Sequence, residues 1–473
     1  MNRQTVWIRI WVILSLLLCL ALIFPRNGVE IFPGLTLRFF KPEDLMPSPP
    51  LGEEALQVIH TSTDTATLRI SDTQSVSQRR WQKAEKGRLQ YPEAGPDALE
   101  PFFLLLERLS ERKNLLGDSV FHILHYGDSQ IEGDRISGYL RHRLQGLFGG
   151  SGPGLFPALQ TIPARNLRQT ASENWQRYTL FGPMEQRAPD RRYGLMYARC
   201  GYLGDTASIF LSRSSTGYPG VRRAHILTLF YEGGDTLGEL EVFDGIKKQV
   251  FPLEPRTNRQ AQWIQTPVHF GSEGITLNFR GAGIQVFGLA LDGGPGLQVD
   301  NIPMRGASGT FLRAADSLLL AQHLDLLNTR LIILEFGGNM LPYVQSADEA
   351  VKYGRLMERQ FRFMRHVAPK AALIVIGPAD MAIRHGGQLQ THPWLESLRD
   401  ALKEATLKAG GAYWDMYAAM GGRNAMLAWA QSTPALAGPD YIHFTPAGAE
   451  KIAGMFTAAL VDDFNLWKSH RQP

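Results

Sequence analysis

Four short stretches of the sequence hold residue types that could work together on one reacting group. Gly127-Asp128-Ser129 ends the apolar run Phe121-His-Ile-Leu-His-Tyr126, and Ile136, Leu140, Leu144, Leu147 and Phe148 follow at helical spacing. Strand, tight turn and helix open an α/β unit, and in parallel sheets reactive groups collect at the carboxyl ends of strands. Gly127 lets the backbone turn sharply, Asp128 can hydrogen-bond the loop, and an amide near a helix N-terminus favours negative charge. In Asp440-Tyr-Ile-His443 the carboxylate and the imidazole can meet on one turn. Asp440 would then accept from Nδ1–H of His443 and leave Nε2 to take the proton of Ser129, without which a serine hydroxyl is a poor nucleophile. Asn339, in Gly337-Gly338-Asn339, follows another apolar run, and its amide can donate to an oxyanion; so can the N–H groups of Ser129 and of a glycine in Arg305-Gly-Ala-Ser-Gly-Thr310. Each such donor is typically worth ~10²–10³ in rate. The plain alternatives are a common turn at Gly-Asp-Ser, an Asp and a His capping the last helix, and glycines in ordinary strand-to-helix turns.

The elements that must position these residues can be read from periodicity. A helix is predicted from about Asp97 to Arg112, with Phe102, Leu105, Leu106 and Leu109 on one face. From about Phe156 to Leu297 the pattern alternates in the manner of strands, as in His225–Tyr231, Glu239–Phe243, Gly274–Phe279 and Ile284–Ala290, with glycine-containing turns between them. Short strands at this spacing suggest an antiparallel sandwich. After about Val299 the α/β rhythm resumes, with strands at Leu331–Phe336, Ala372–Gly377 and Ala412–Met416. Helices are expected from Ser346-Ala-Asp-Glu349, a capping box, to about Val367, from Trp394 to about Lys408, and onward from Thr445-Pro446. One α/β domain with a parallel sheet covered on both faces is thus split by an inserted β domain.

The 473 residues suffice for two cores, and 44% hydrophobic with 20% charged residues is ordinary globular composition. A net charge of +4 with no dense basic block gives no nucleic-acid footprint. Cys19 and Cys200 are the two cysteines, and Cys200 is expected as a small buried hydrophobe without a disulfide. No set of residues has metal-ligand spacing, and neither a metal nor another cofactor is expected. His122 and His125 read as packed strand residues, and His392-Pro393 as a loop. Arg3 and Arg9 precede the apolar run Ile10–Phe24 and Arg26 follows it. Residues 1–28 therefore read as a signal anchor, with a cleaved signal peptide as the alternative, which exports the remainder. Residues 29–95, with the proline-rich stretch 41–50, read as a stem.

The order Gly-Asp-Ser, Gly-Ala-Ser-Gly, Gly-Gly-Asn, Asp-x-x-His resembles the four sequence blocks of the SGNH (GDSL-like) hydrolase superfamily. The resemblance covers about 121–150 and 299–460. It implies a three-layer α/β/α fold, Ser129 as nucleophile, Asp440 and His443 as its acid and base, and an oxyanion hole from Ser129, Gly309 and Asn339, with Gly306 second to Gly309. Two positions depart from the pattern: Met340 stands where Asp or Glu usually follows the asparagine, and Gln130 follows the serine. Within the superfamily the chain is most similar to bacterial peptidoglycan O-acetylesterases, in which a carbohydrate-binding-module-like β domain is inserted between the first two blocks. The corresponding layout here is residues 96–156 and 298–473 for the hydrolase and 157–297 for the insert. The resemblance implies an esterase acting on an acetylated glycan, peptidoglycan above all, and the N-terminal segment makes it periplasmic and anchored to the inner membrane. The rivals are an acetyltransferase of the same fold and a non-catalytic wall-binding protein. In the insert, Trp175, Tyr178, Tyr202, Tyr231 and Trp263 could stack on sugar rings, although such residues are more often core.

Overall fold

A computed structural model describes residues 29–32, 35–37, 53–61, 87–93, 95–111, 119–256, 260–385 and 387–471. The apolar segment read as a membrane anchor lies outside the described residues, and among these no helix is long and apolar enough to cross a membrane. The described residues fall into two units, one of 29–32, 35–37, 383–385 and 387–390, and one of the rest. In the smaller unit Val29–Phe32 pairs antiparallel with Leu35–Leu37.

The larger unit is built on a parallel sheet of β1 (Val120–Gly127), β2 (Gly296–Pro303), β3 (Thr329–Glu335), β4 (Ala372–Ile376) and β5 (Ala412–Trp414), in the order β2-β1-β3-β4-β5. Leu89–Gln90, within the stretch read as a stem, adds a short antiparallel strand beside β5. In that same stretch Glu53–His60 is helical, with Ala55 fully buried.

Alternation along the strands divides the sheet between two cores, the reason both faces are apolar. Phe121, Ile123, Leu331, Ile333, Ile374 and Trp414 face one core, closed by the helices Glu100–Ser110, α1 (Arg135–Phe148) and α5 (Pro446–Arg471). Leu124, Tyr126, Ile332, Leu334, Val375 and Tyr413 face the other, closed by α2 (Ser317–Leu326), α3 (Ala347–Val367) and α4 (Leu395–Lys408). The expected caps hold: the Ser346 hydroxyl accepts from the Glu349 N–H, and that of Thr445 from the Gly448 N–H.

Between β1 and β2 the chain forms two antiparallel sheets. One contains Gln262–Pro267, Ile226–Glu232, Gln285–Asp292, Ala198–Tyr202 and Trp175–Thr179; the other contains Lys248–Leu253, Gly238–Phe243, Ile275–Arg280, Thr206–Arg213 and Leu167–Ala171. Leu229, Leu240, Leu277 and Phe279 lie in the core between them. Cys200 is buried there as a free thiol. Trp175, Tyr202 and Tyr231 are core as well and Tyr178 is partly buried, whereas Trp263 is exposed.

The first of these sheets also faces the hydrolase. Phe230 and Phe287 join Leu319, Leu320 and Leu324 of α2 in one core, and Tyr126 in β1 donates to the carbonyl of Leu195. β2 was not legible as a strand, because Gln298, Asp300 and Asn301 interrupt its apolar pattern. Each of these side chains is buried and bonded. Asp300 accepts from the Leu155 N–H and pairs with His122 at 2.7 Å, and Asn301 accepts from Ser137. His122 is thus a packed strand residue. Burial works against its charged form, but Asp300 and Asp292 outweigh it and lift its pKa to about 10.

Candidate active site

The strand order reverses direction between β1 and β3, and open α/β sheets bind ligands in the crevice beyond such a switch point. Ser129 follows β1 and Asn339 follows β3. A 3-10 turn, Ser129–Asp134, joins β1 to α1, and Asp128 caps it by accepting from the Gln130 N–H at 2.9 Å.

Asp440 and His443 come from the loop before α5. Tyr441 takes a positive φ of 57° there, which allows the Asp440 carboxylate to fold back over the next residues. Its Oδ1 accepts from the N–H groups of Ile442 and His443, at 3.0 and 3.1 Å, and its Oδ2 lies 2.7 Å from His443 Nδ1. The same ring presents Nε2 to Ser129 Oγ at 2.8 Å. With Nδ1–H pointed at a carboxylate, Nε2 is the acceptor for the serine O–H. Burial pushes the Asp440 carboxyl up, but the His443 ring and the two amides outweigh it and hold the group ionised below the ordinary carboxylate range.

Two side chains of the serine loop clasp the histidine loop. Gln130 Nε2 donates to the Ile442 carbonyl at 2.6 Å, and its Oε1 accepts from the Phe444 N–H. Arg135 donates to the carbonyls of Phe444 and Ser129, both at 2.8 Å. The distance from Ser129 to His443 is thus fixed from both sides. Gln130, a departure from the familiar pattern, has a definite structural use.

A cavity of about 230 Å³ opens over Ser129 and His443; Gly338, Asn339, Phe336, Glu335 and Asp128 are among its other lining residues. The Asn339 amide donates to Asp128 Oδ2 at 2.9 Å and, at 3.3 Å, to the Ala307 carbonyl. Gly309 has a positive φ of 79° and does not line this cavity; it packs against Phe336, which does. Gly306, also at positive φ, is in open surroundings. Met340 is partly buried against the core.

Sequence reasoning missed a buried acidic pair under the serine. Glu335, the last residue of β3, is 3% exposed; its Oε2 is 3.0 Å from His125 Nε2, and Ser137 bonds the other ring nitrogen. An acid closing an otherwise apolar strand run was the signal available. Burial, with the Glu335 charge nearby, outweighs the hydrogen bonds of Gln130 and Asn339 and raises Asp128 to about 7. Among the described residues no cluster of His, Cys, Asp or Glu could hold a metal ion.

A parallel α/β/α sheet with a hydrogen-bonded serine, histidine and aspartate at its switch point is the architecture of the SGNH class of hydrolases. Residues 258–451 match the GDSL-like lipase/acylhydrolase family, and this acylhydrolase domain supports an esterase. Ser129 lies ahead of the matched span, which begins within the inserted sheets. Among solved structures, a peptidoglycan O-acetylesterase matches with 19% identity and a TM-score of 0.62, over 77% of this chain and 96% of the other. A family two carbohydrate esterase from Clostridium thermocellum, in complex with cellohexaose, matches at 12% identity and a TM-score of 0.25, over 62% and 99% of the two chains. A family two carbohydrate esterase from Cellvibrio japonicus matches at 10% identity and a TM-score of 0.24, over 64% and 99%. Of these three, the first shares the overall fold. No curated protein sequence matches the chain.

Proposed function

We propose that this chain is an exported serine acetylesterase that removes O-acetyl groups from a cell-envelope glycan, with the muramic acid of peptidoglycan as the foremost substrate. The observation that carries the chemistry is the relay from Ser129 Oγ to His443 Nε2 and from His443 Nδ1 to Asp440, at 2.8 and 2.7 Å. The fold shared with a peptidoglycan O-acetylesterase supports the substrate class, and the Arg-flanked apolar N-terminus supports export to the envelope with the chain held at the inner membrane.

Ser129 Oγ attacks the acetyl carbonyl carbon while His443 Nε2 takes its proton. The charge that forms on the carbonyl oxygen is met by the amides of Ser129 and Gly309 and by the side chain of Asn339. An amide nitrogen of asparagine carries two hydrogens. Asp128 holds one, and the other makes the longer bond to Ala307, so it is the easier of the two to share with an oxyanion. Collapse breaks the ester C–O bond, and the imidazolium returns its proton to the departing sugar oxygen. Water then gives a proton to His443 as it attacks the acetyl-serine, and acetate leaves as Ser129 is reprotonated. Asp440, kept ionised, stabilises the imidazolium in each half.

The test is acetate release from O-acetylated peptidoglycan by the full chain beside its Ser129→Ala variant. Release that disappears in the variant is the expected result. Cleavage of p-nitrophenyl acetate without release from the glycan would overturn the substrate, and ester cleavage retained by Ser129→Ala would overturn the relay.

A further inference from the structure

A second, larger cavity, of about 490 Å³, lies between the inserted sheets and the serine loop. It begins at Glu132, three residues past Ser129, so the loop that carries the nucleophile also forms one of its walls. Its volume is within the roughly 300–1,000 Å³ of small-ligand sites, enough to seat a saccharide unit. Phe156, Phe181, Ile162 and Pro183 supply apolar lining, and Asn166 and Arg177 supply polar groups.

Those polar groups are short of partners. Asn166 is 4% exposed, and its Oδ1 is buried with no hydrogen-bond partner among the described residues. Its Nδ2 is used by the Pro153 carbonyl, which fixes the side chain. Arg177 gives one N–H to Thr161 at 2.9 Å, but its Nε is buried and unpartnered, and no carboxylate oxygen of the described residues lies within ion-pair distance of it. Glu132 also lines the cavity but is taken by Arg305, which bonds both its oxygens. Burial lowers the Arg177 pKa, and the attraction of Cys200 and Glu132 offsets this only in part. A partly buried guanidinium without a carboxylate partner fits a carboxylate, a buried carbonyl oxygen fits a hydroxyl or amide donor, and an aromatic wall fits the C–H face of a sugar ring.

We propose that this cavity is a saccharide subsite that recognises a sugar bearing a carboxylate, a hexuronate or a lactyl-ether sugar, with Arg177 binding the carboxylate and Asn166 a hydroxyl or amide. The subsite rests on its own geometry and not on the esterase reading, which it deepens by placing an acidic glycan beside Ser129.

The experiment is calorimetric titration of the full-length Ser129→Ala protein, which needs no turnover, with methyl glucuronide and with N-acetylmuramic acid, each beside its carboxyl-reduced form. Charge-assisted hydrogen bonds of this kind are expected to favour an acid over its reduced form by roughly tenfold to a hundredfold. Adding Arg177→Gln should bring that ratio close to one, and Arg177→Lys, which keeps the charge but loses the fork, should leave an intermediate ratio. The proposal is overturned if neither acid outbinds its reduced form, or if the preference survives in Arg177→Gln. Acetate release plays no part in this measurement, so a failed substrate assignment and a failed subsite are told apart.

Discussion

Asp128 is the residue at which the structure makes its sharpest quantitative demand. It is buried, its oxygens accept from Gln130 and Asn339, and its pKa is raised from 3.8 to about 7. The folded protein therefore binds a proton that the unfolded chain releases near pH 4. Stability falls as pH rises from about 4 to about 7 and is flat in this respect beyond. Between pH 5 and pH 7 the change is about two units, at ~1.4 kcal/mol each, or roughly 3 kcal/mol. Asp128→Asn abolishes that slope. It also carries a fixed penalty, because one end of the new amide is a donor and must face either Gln130 N–H or Asn339 Nδ2, at a cost of about 1–3 kcal/mol. The variant should thus be near neutral or slightly less stable than the parent at pH 5 and clearly more stable at pH 8. Urea unfolding of both proteins at pH 5, 6, 7 and 8 reads this directly, since titrations common to both cancel in the difference. A stability difference that stays constant over that range would refute the account of Asp128. In activity the same variant should lose at least about tenfold in kcat, as the donor it displaces is one of those worth ~10²–10³.

Other outcomes are equally specific. Asn339→Ala should lower kcat for p-nitrophenyl acetate by ~10²–10³ with little change in KM; a loss under tenfold would remove Asn339 from the oxyanion hole. Gln130→Ala should release the Ile442–Phe444 segment, with faster amide hydrogen exchange there and a fall in kcat of about tenfold for want of positioning; unchanged exchange would mean that Arg135 alone holds the loop. Asp134→Ala strands the guanidinium of Arg141, 1% exposed and bonded to both Asp134 oxygens at 2.7 and 2.9 Å. Breaking such a pair costs about 3–5 kcal/mol, and a loss below 1 kcal/mol in urea unfolding would show that Arg141 finds other partners.

The parts of the fold that were legible are those in which one physical rule acts alone. β3 and β4 carry the continuous apolar runs Leu331–Leu334 and Ala372–Ile376, β1 is apolar apart from His122 and His125, and α3 carries its cap in its own sequence. β2 was not legible because a buried strand with three polar residues is stable only if distant partners satisfy them, and those partners, Leu155, Ser137 and His122, come from other elements. The same reasoning separates the site residues. Asp440 and His443 can meet because three residues separate them, whereas Ser129 reaches the same ring across 314 residues. Glu335 beneath the serine, and the clasp from Gln130 and Arg135 to the histidine loop, depend on tertiary neighbours more than 180 residues away in the cases of His125–Glu335, Gln130–Ile442 and Arg135–Phe444. Gly309, chosen by its motif, takes a positive φ of 79°, and a side chain there would meet Met357 and Phe336, so glycine is required at this turn.

The inserted sheets are joined to the catalytic strand too closely to act as a mere appendage. Tyr126, three residues before Ser129, is fully buried and gives its hydroxyl to Leu195 of the insert. Asp300, on the strand beside β1, takes the Leu155 N–H and thereby holds His122 of β1 in a buried ion pair. Phe230 and Phe287 share a core with α2. Removing the insert would uncover that core and leave Tyr126 without its partner, a buried polar group whose loss of a bond costs about 1–3 kcal/mol. An interface of this kind does not permit loose attachment, because relative motion of two domains requires a small and mainly polar contact. The serine loop is therefore held on one side by the histidine loop and on the other by the insert, and a ligand gripped at Arg177 would meet Ser129 at a fixed offset rather than through a flexible tether.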